Sequence, residues 1–137
     1  MRVGFQIVLA LYLGLLTIYA GAINFVDPSL VLASAYNLEL SHLEIGVQQA
    51  YATQIRIFSA LWVVAGVSVL LCVRKFESHS GIIRLVLFGT TLGVIGQLVS
   101  VYNLSGDLTK ITVKCVMTIA ICLALETWRM SLLKNTR

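Results

Sequence analysis

Residues 50–73 read AYATQIRIFSALWVVAGVSVLLCV, an apolar run that carries a single charge, Arg56. An α-helix needs about 20 such residues to cross the roughly 30 Å hydrocarbon core of a bilayer, with every backbone N–H and C=O paired inside the segment. Three other stretches of the chain meet that length. The sequence therefore predicts four membrane spans, at about residues 4–25, 50–73, 82–102 and 108–132.

The composition agrees with an all-α integral membrane protein. Of the 137 residues, 58% are hydrophobic and 12% are charged, which is far from the balance of a soluble domain. A single proline and the lack of a Gly/Ser-rich linker predict one transmembrane domain over residues 1–137. The three cysteines form no C-x-x-C pair, so we expect them to be packing residues rather than a disulfide or redox centre.

The basic residues predict the orientation of the spans. They occur singly near the ends of apolar runs, which favours a role in membrane orientation over nucleic-acid binding. Seven of the ten lie in the regions expected to face the cytoplasm: Arg2 before span one, Arg74, Lys75 and Arg84 around the link between spans two and three, and Arg129, Lys134 and Arg137 after span four. The connection over residues 24–49 has no Lys or Arg. Both termini are therefore expected on the cytoplasmic side.

The first span also resembles a secretory signal, because Arg2 precedes an apolar run that contains Ala20-Gly21-Ala22. That run is longer than a typical signal core, so we expect it to be retained as a span.

Short links between spans two, three and four predict an up-down-up-down four-helix bundle. Asp27-Pro28 is typical of a helix start, which predicts a short amphipathic helix on the outer surface through about Tyr36, with a plain loop as the alternative. Small residues at helical spacing should face neighbouring helices. These are Gly14, Thr17, Gly21 and Asn24 in span one and Gly89, Gly93, Gly96, Gln97 and Ser100 in span three. Gly89 and Gly93 could instead mediate a homodimer.

Polar residues at a similar depth beneath the outer surface form the candidate site. Ionisable residues inside a span are functional candidates, and Arg56 and Lys114 are two of them. The hypothesis of a ligand-binding site comprises Arg56, Lys114, Gln97, Thr53, Tyr19 and Asn24, with Arg56 and Lys114 expected to point into the protein. Two alternatives stay open: the two cations snorkel to the interface, or Glu44, Asp27 and Asp107 pair with them inside the protein.

The chain resembles a bacterial membrane family catalogued as domain of unknown function 4345. The resemblance rests on Asp27-Pro28 after span one, on residues 54–60 (QIRIFSA) in span two and on the four-span layout. The family pattern in the second helix is similar to acidic-Ile-Arg-x-aromatic-Gly-Gly, so Arg56 matches its arginine. Gln54 and Ser59-Ala60 depart from that pattern, and Gln97 replaces an arginine common in the third helix. The resemblance implies a DoxX-like four-helix architecture in the bacterial inner membrane.

The residues predict a binding protein rather than an enzyme. The sequence contains no recognisable catalytic set, metal-ligand spacing or cofactor motif. We expect an accessory subunit or small binding module with an outer-side cationic pocket for an anionic or lipid-like ligand. Its expected partners are the bilayer and a second copy of the chain or a larger membrane complex. A dimeric four-helix transporter and a membrane-embedded lipid or sterol-type isomerase are the alternatives.

Overall fold

The computed structural model describes residues 2–36, 39–104 and 108–134, which form six α-helices. They are α1 (Arg2–Leu9), α2 (Leu16–Val26), α3 (Ser29–Tyr36), α4 (Ile45–Cys72), α5 (Ser80–Leu104) and α6 (Leu108–Lys134). Four stretches are long and apolar enough to cross a membrane: Arg2–Val26, Ile45–Lys75, Ser80–Val99 and Ile111–Lys134. The four predicted spans are therefore confirmed by length and composition.

The two ends of the spans are named by residues that lie there. The Arg2 end carries Arg2, the link between α4 and α5, and the last turn of α6 around Lys134. The Asp27 end carries the link between α2 and α4 and the first turn of α6.

The first span is continuous but contains a wider turn of π-helix at Ala10–Leu15, which joins α1 to α2. There the N–H of Leu16 donates to the carbonyl of Leu11, five residues back. The hydroxyl of Thr17 donates over the same spacing to the carbonyl of Tyr12, at 3.5 Å. Such turns occur mostly as single interruptions of an α-helix.

The first two spans pack closely through glycine. A Cβ atom added to Gly21 would lie 2.7 Å from the carbonyl oxygen of Ser59, and one added to Gly66 would lie 2.7 Å from that of Gly14. Because lipid offers no hydrophobic drive for helix association, such close backbone approach is a main source of stability. The predicted packing role of Gly14 and Gly21 is confirmed.

The glycines of α5 do not pack in the predicted way. A Cβ atom added to Gly89 or Gly93 would meet nothing within 4 Å. The helix is buried through Leu87 and Val94 instead, and at 3.6 residues per turn the two glycines lie on its other side. The prediction that Gly89 and Gly93 face a neighbouring helix of the same chain was wrong.

Buried side chains form two clusters at different heights. The larger one, near the Arg2 end, draws on all four spans: Phe5, Leu9, Leu13, Val69, Cys72, Phe76, Ile83, Leu87, Cys122, Leu125 and Leu132. The smaller one lies toward the Asp27 end and contains Val94, Ile111 and Cys115, from α5 and α6 alone. The first span and α4 form one helix pair, and α5 and α6 form the other. Among the described residues, these two helix pairs share a buried cluster only in the half near Arg2.

The short helix α3 begins as the sequence predicts. A carboxylate oxygen of Asp27 accepts a hydrogen bond from the backbone N–H of Ser29 at 3.0 Å, and another from the Ser29 hydroxyl. This is the bond pattern of an N-cap, with Pro28 in the first helical position. The helical prediction is confirmed over Ser29–Tyr36.

All three cysteines are buried and free. Cys72 and Cys122 belong to the larger cluster, and Cys115 to the smaller one. They fill space in the core, which confirms the packing role that the sequence predicts.

Candidate functional site

Arg56 lies on the exposed surface of α4 and contacts the end of α2. Its Nε donates to the carbonyl oxygen of Phe25 at 3.3 Å. The last four carbonyls of an α-helix have no partner within the helix, and a cation near them is favourable because the helix dipole places negative charge there. Arg56 therefore serves as a cap for α2.

Lys114 is also exposed, but it lies on the side of α6 that is buried farther along the helix. It lies eighteen residues before Leu132, which is five turns of about 3.6 residues each, so the two side chains leave α6 on the same side. Leu132 and Leu125 on that side are buried in the larger cluster near the Arg2 end. Lys114 consequently occupies the inward side of α6 at a height that the larger cluster does not reach.

The other predicted site residues do not close a pocket around these cations. Tyr19 is 65% exposed. Thr53 donates to the carbonyl of Gln49 within its own helix, at 2.8 Å. Gln97 is half-buried, and its side-chain oxygen lies 4.0 Å from the Sγ of Cys115. Asn24 is half-buried in α2.

The structure does not place Arg56 and Lys114 together on inward-facing sides of their helices, and the ligand site predicted around them stays a prediction. Arg56 precedes Val69, which belongs to the larger cluster, by thirteen residues, so their side chains are about 140° apart around α4. Lys114 has the inward direction, but the two helix pairs share no buried cluster at its height. Arg56 is therefore exposed because it points away from the larger cluster, and Lys114 is exposed because no buried cluster joins the helix pairs at its height.

The proposed internal partners are not found at these cations. Asp27 caps α3 through Ser29. Among the described residues, which include Glu44 but not Asp107, no carboxylate lies within ion-pair distance of Arg56 or Lys114. Asp107 lies outside the described residues.

A cleft at the Arg2 end was not predicted from the sequence. It has a volume of about 510 Å³, and its polar lining comes from the start of α1 and the link after α4: Arg2, Gln6, Arg74, Lys75, Glu77 and Ser78. The lining residues are far apart in sequence and meet only when the spans pack. The distribution of basic residues does predict that Arg2, Arg74 and Lys75 lie on the same side of the membrane. It does not predict that they line one cleft.

An ion pair that is largely buried forms within α6, on the side that meets α5. Arg129 is 6% exposed. It donates from Nε and Nη2 to the two carboxylate oxygens of Glu126, at 2.7 Å and 2.6 Å, and from Nη1 to the hydroxyl of Ser80. Arg84 approaches the same carboxylate at 3.6 Å. The predicted pair of Glu126 and Arg129 is confirmed, and its partners on α5 tie two spans together.

The described residues hold no group of three or more His, Cys, Asp or Glu side chains that could bind a metal ion. What the structure offers instead is exposed cationic side chains toward both ends of the spans. Those at the Arg2 end line a common cleft.

Comparison with protein-family models gives a match over most of the chain. The family model described as a domain of unknown function, DUF4345, matches residues 4–128. No curated protein and no solved structure matches the sequence significantly. The DoxX-like architecture that the resemblance implies stays a prediction. Because the match covers most of the sequence, the chain belongs to the DUF4345 family.

Proposed function

We propose that this protein is a non-enzymatic membrane protein, an accessory subunit or small binding module, that holds an anionic or lipid-like ligand near the outer membrane surface. Lys114 is the central residue of the proposed site, and Arg56 is a second contact. The ligand binds to exposed cations between and beside the helix pairs rather than in an enclosed pocket.

The proposed orientation places the Arg2 end in the cytoplasm, in a bacterial inner membrane. Arg2, Arg74, Lys75, Arg84 and Lys134 all lie near that end, and described residues 27–49 between α2 and α4 carry no Lys or Arg. Because basic residues are retained on the cytoplasmic side, this asymmetry supports an up-down-up-down bundle with both termini inside. The helix α3 then lies along the outer surface.

The observation that carries the proposal is the position of Lys114. An ammonium group inside a span is expensive unless an anion or water reaches it. Lys114 faces the side of α6 on which Leu125 and Leu132 are buried, yet it is exposed and has no described carboxylate in range. A ligand phosphate or carboxylate between the helix pairs would supply the missing charge.

Arg56 supports the proposal through its unused nitrogens. Only Nε takes part in the bond to the Phe25 carbonyl. The guanidinium has five N–H donors, so the two terminal nitrogens are available to an anion in a bidentate arrangement. The cap fixes the side chain in place and thereby reduces the entropy lost when an anion binds.

Identifying the ligands that co-purify with the protein tests the proposal. We expect native mass spectrometry of the wild type to show a co-purifying anionic species, with reduced occupancy in Lys114→Met and in Arg56→Ala. Methionine keeps the length of the lysine stem and removes only the charge, so packing is largely preserved.

Lys134→Met is the matched control, because Lys134 is an exposed cation at the opposite end of the same helix. The Lys134→Met variant should bind the co-purifying species to the same occupancy as the wild type. If Lys114→Met and Arg56→Ala also retained full occupancy, the two residues would be ordinary interfacial cations and the proposal would fail.

A proton-coupled transporter receives no support from the one carboxylate within the described spans. Such a transporter needs a titratable acid in the substrate path. Glu126 is bound by Arg129 through two hydrogen bonds and lies near the Arg2 end. An isomerase would likewise need a deep acid or base. The transporter and isomerase hypotheses thus have no specific observation in their favour.

A further inference from the structure

We propose that the cleft at the Arg2 end is a second anion site, which binds a phosphate group. The site is separate from Lys114 and Arg56, since it lies at the other end of the spans. The proposal rests on a cavity of about 510 Å³ between the start of α1 and the link that follows α4.

The charges of the cleft favour an anion. Its lining includes three cations, Arg2, Arg74 and Lys75, and one carboxylate, Glu77. Glu77 forms an ion pair with Arg2 at 3.1 Å, which occupies one of the three cations. Among the described residues, Arg74 and Lys75 have no carboxylate within ion-pair distance. Two positive charges are therefore in excess.

The backbone of the cleft is arranged so that it does not repel an anion. Carbonyl oxygens at the end of α4 carry partial negative charge. The side-chain amide of Gln6 donates to the carbonyls of Val73 and Arg74, at 3.1 Å and 3.2 Å. The hydroxyl of Ser78 donates to the carbonyl of Lys75 at 3.0 Å. Three consecutive carbonyls are thus paired, which reduces their repulsion of an anion.

The same hydrogen bonds hold the site in shape. Gln6 ties α1 to the link after α4 across a long separation in sequence, and the Arg2–Glu77 pair adds a second tie. Beneath the cleft, the ring of Phe5 packs edge-on against that of Phe76, with centroids 5.2 Å apart. A cleft that is formed before binding loses little entropy on capturing its ligand.

A phosphate group is the anion that this setting favours. In the proposed orientation the cleft lies at the height of the cytoplasmic headgroups, where basic pockets between spans bind anionic lipids. Arginine matches the geometry of phosphate oxygens, and lysine adds a point charge. A lipid phosphate and a free phosphate share this chemistry.

Binding to the purified full-length protein in neutral detergent micelles tests the proposal. The probes are dioctanoyl phosphatidic acid, dioctanoyl phosphatidylcholine as the zwitterionic comparison, and inorganic phosphate. We expect phosphatidic acid to bind more tightly than phosphatidylcholine, and Arg74→Gln or Lys75→Gln to weaken it about fivefold each. Glu77→Gln should have the opposite effect and tighten binding, because it removes the competing carboxylate.

The arms of the experiment separate the sources of phosphate. Binding of phosphatidic acid alone identifies a lipid site, whereas comparable binding of inorganic phosphate identifies a site for soluble phosphate. Lys134→Gln is the control, since it removes an exposed cation from the same end but outside the cleft. Equal weakening by Lys134→Gln would indicate a diffuse surface potential and overturn the proposal, as would a lack of binding by both phosphate probes. Neither result would bear on Lys114.

Discussion

Arg129 illustrates how a charge is accommodated inside this protein. A guanidinium with 6% exposure would be strongly destabilising by itself, but both oxygens of Glu126 and the hydroxyl of Ser80 receive its hydrogen bonds. Removing one partner from such a pair leaves a buried charge, whereas removing both does not. The pair therefore behaves as a unit.

We expect Glu126→Gln to lower the free energy of unfolding by about 3–5 kcal/mol. The double variant Glu126→Gln/Arg129→Met should be more stable than that single variant, because no unpaired charge remains. Arg84→Gln is the comparison, and its effect should stay below about 1 kcal/mol, since the Arg84 side chain is 72% exposed. Denaturant titration in detergent micelles measures all three. A double variant that is no more stable than Glu126→Gln would contradict the view that the pair is one unit.

At the scale of helices, the glycines distinguish protein-facing sides from open ones. Gly66 lies where a Cβ would be 2.7 Å from the Gly14 carbonyl oxygen and also 2.7 Å from a side-chain carbon of Ile18. Gly93 has open space at the same position. A substitution to alanine therefore meets a close contact at Gly66 and open space at Gly93, so the two variants can be compared directly.

Gly66→Ala should destabilise the protein by about 1–3 kcal/mol, because the first and second spans must separate to admit the methyl group. Gly93→Ala should be neutral or stabilise it by up to about 1 kcal/mol through its better helix propensity. Thermal unfolding in detergent compares the two. A loss of dimer in Gly93→Ala, seen by cross-linking, would show instead that the open side of α5 receives a second copy.

For the whole molecule, the larger cluster is what joins the two helix pairs. Phe5 is fully buried and packs edge-on against Phe76 and Trp128, with centroids 5.2 Å and 5.4 Å away. Phe5 in the first span thus contacts both the link after α4 and the helix α6 near the Arg2 end. Nearer Asp27, the smaller cluster of described residues draws on α5 and α6 alone.

Phe5→Ala should cost about 3–5 kcal/mol of stability, through lost burial and the cavity that remains. Phe58→Ala removes the same ring from a position that is 56% exposed and should change the stability by less than about 1 kcal/mol. Unfolding in sodium dodecyl sulfate reports both values. Similar values for the two variants would mean that Phe5 does not link the helix pairs.

Hydropathy was sufficient to predict the spans, and local bonding chemistry was sufficient to predict the Asp27 cap. The sides of the helices were harder, because an apolar residue facing lipid and one facing protein have the same hydropathy. That ambiguity explains why Gly14 and Gly21 were predicted correctly while Gly89 and Gly93 were not. The sequence patterns of α5 and α1–α2 are alike, and only packing separates them.

The sequence identifies the cations of the candidate site but not the directions of their side chains. Arg56 and Lys114 were found because charges in apolar runs are conspicuous, but their directions depend on which sides of α4 and α6 are covered. The contact between Arg56 and Phe25 is a property of how α2 ends against α4. The cleft at the Arg2 end depends on the approach of α1 to residues more than sixty positions away, which periodicity within one helix does not reveal.

The burial of all three cysteines makes the native protein nearly silent to thiol-specific alkylation. A single cysteine introduced at the exposed Ser41 or Ser78 should therefore be the dominant target of a maleimide. In intact cells, a membrane-impermeant maleimide should block Ser41→Cys and spare Ser78→Cys until the cells are opened. The reverse labelling would invert the proposed topology, and no background mutation of the core is needed to read the result.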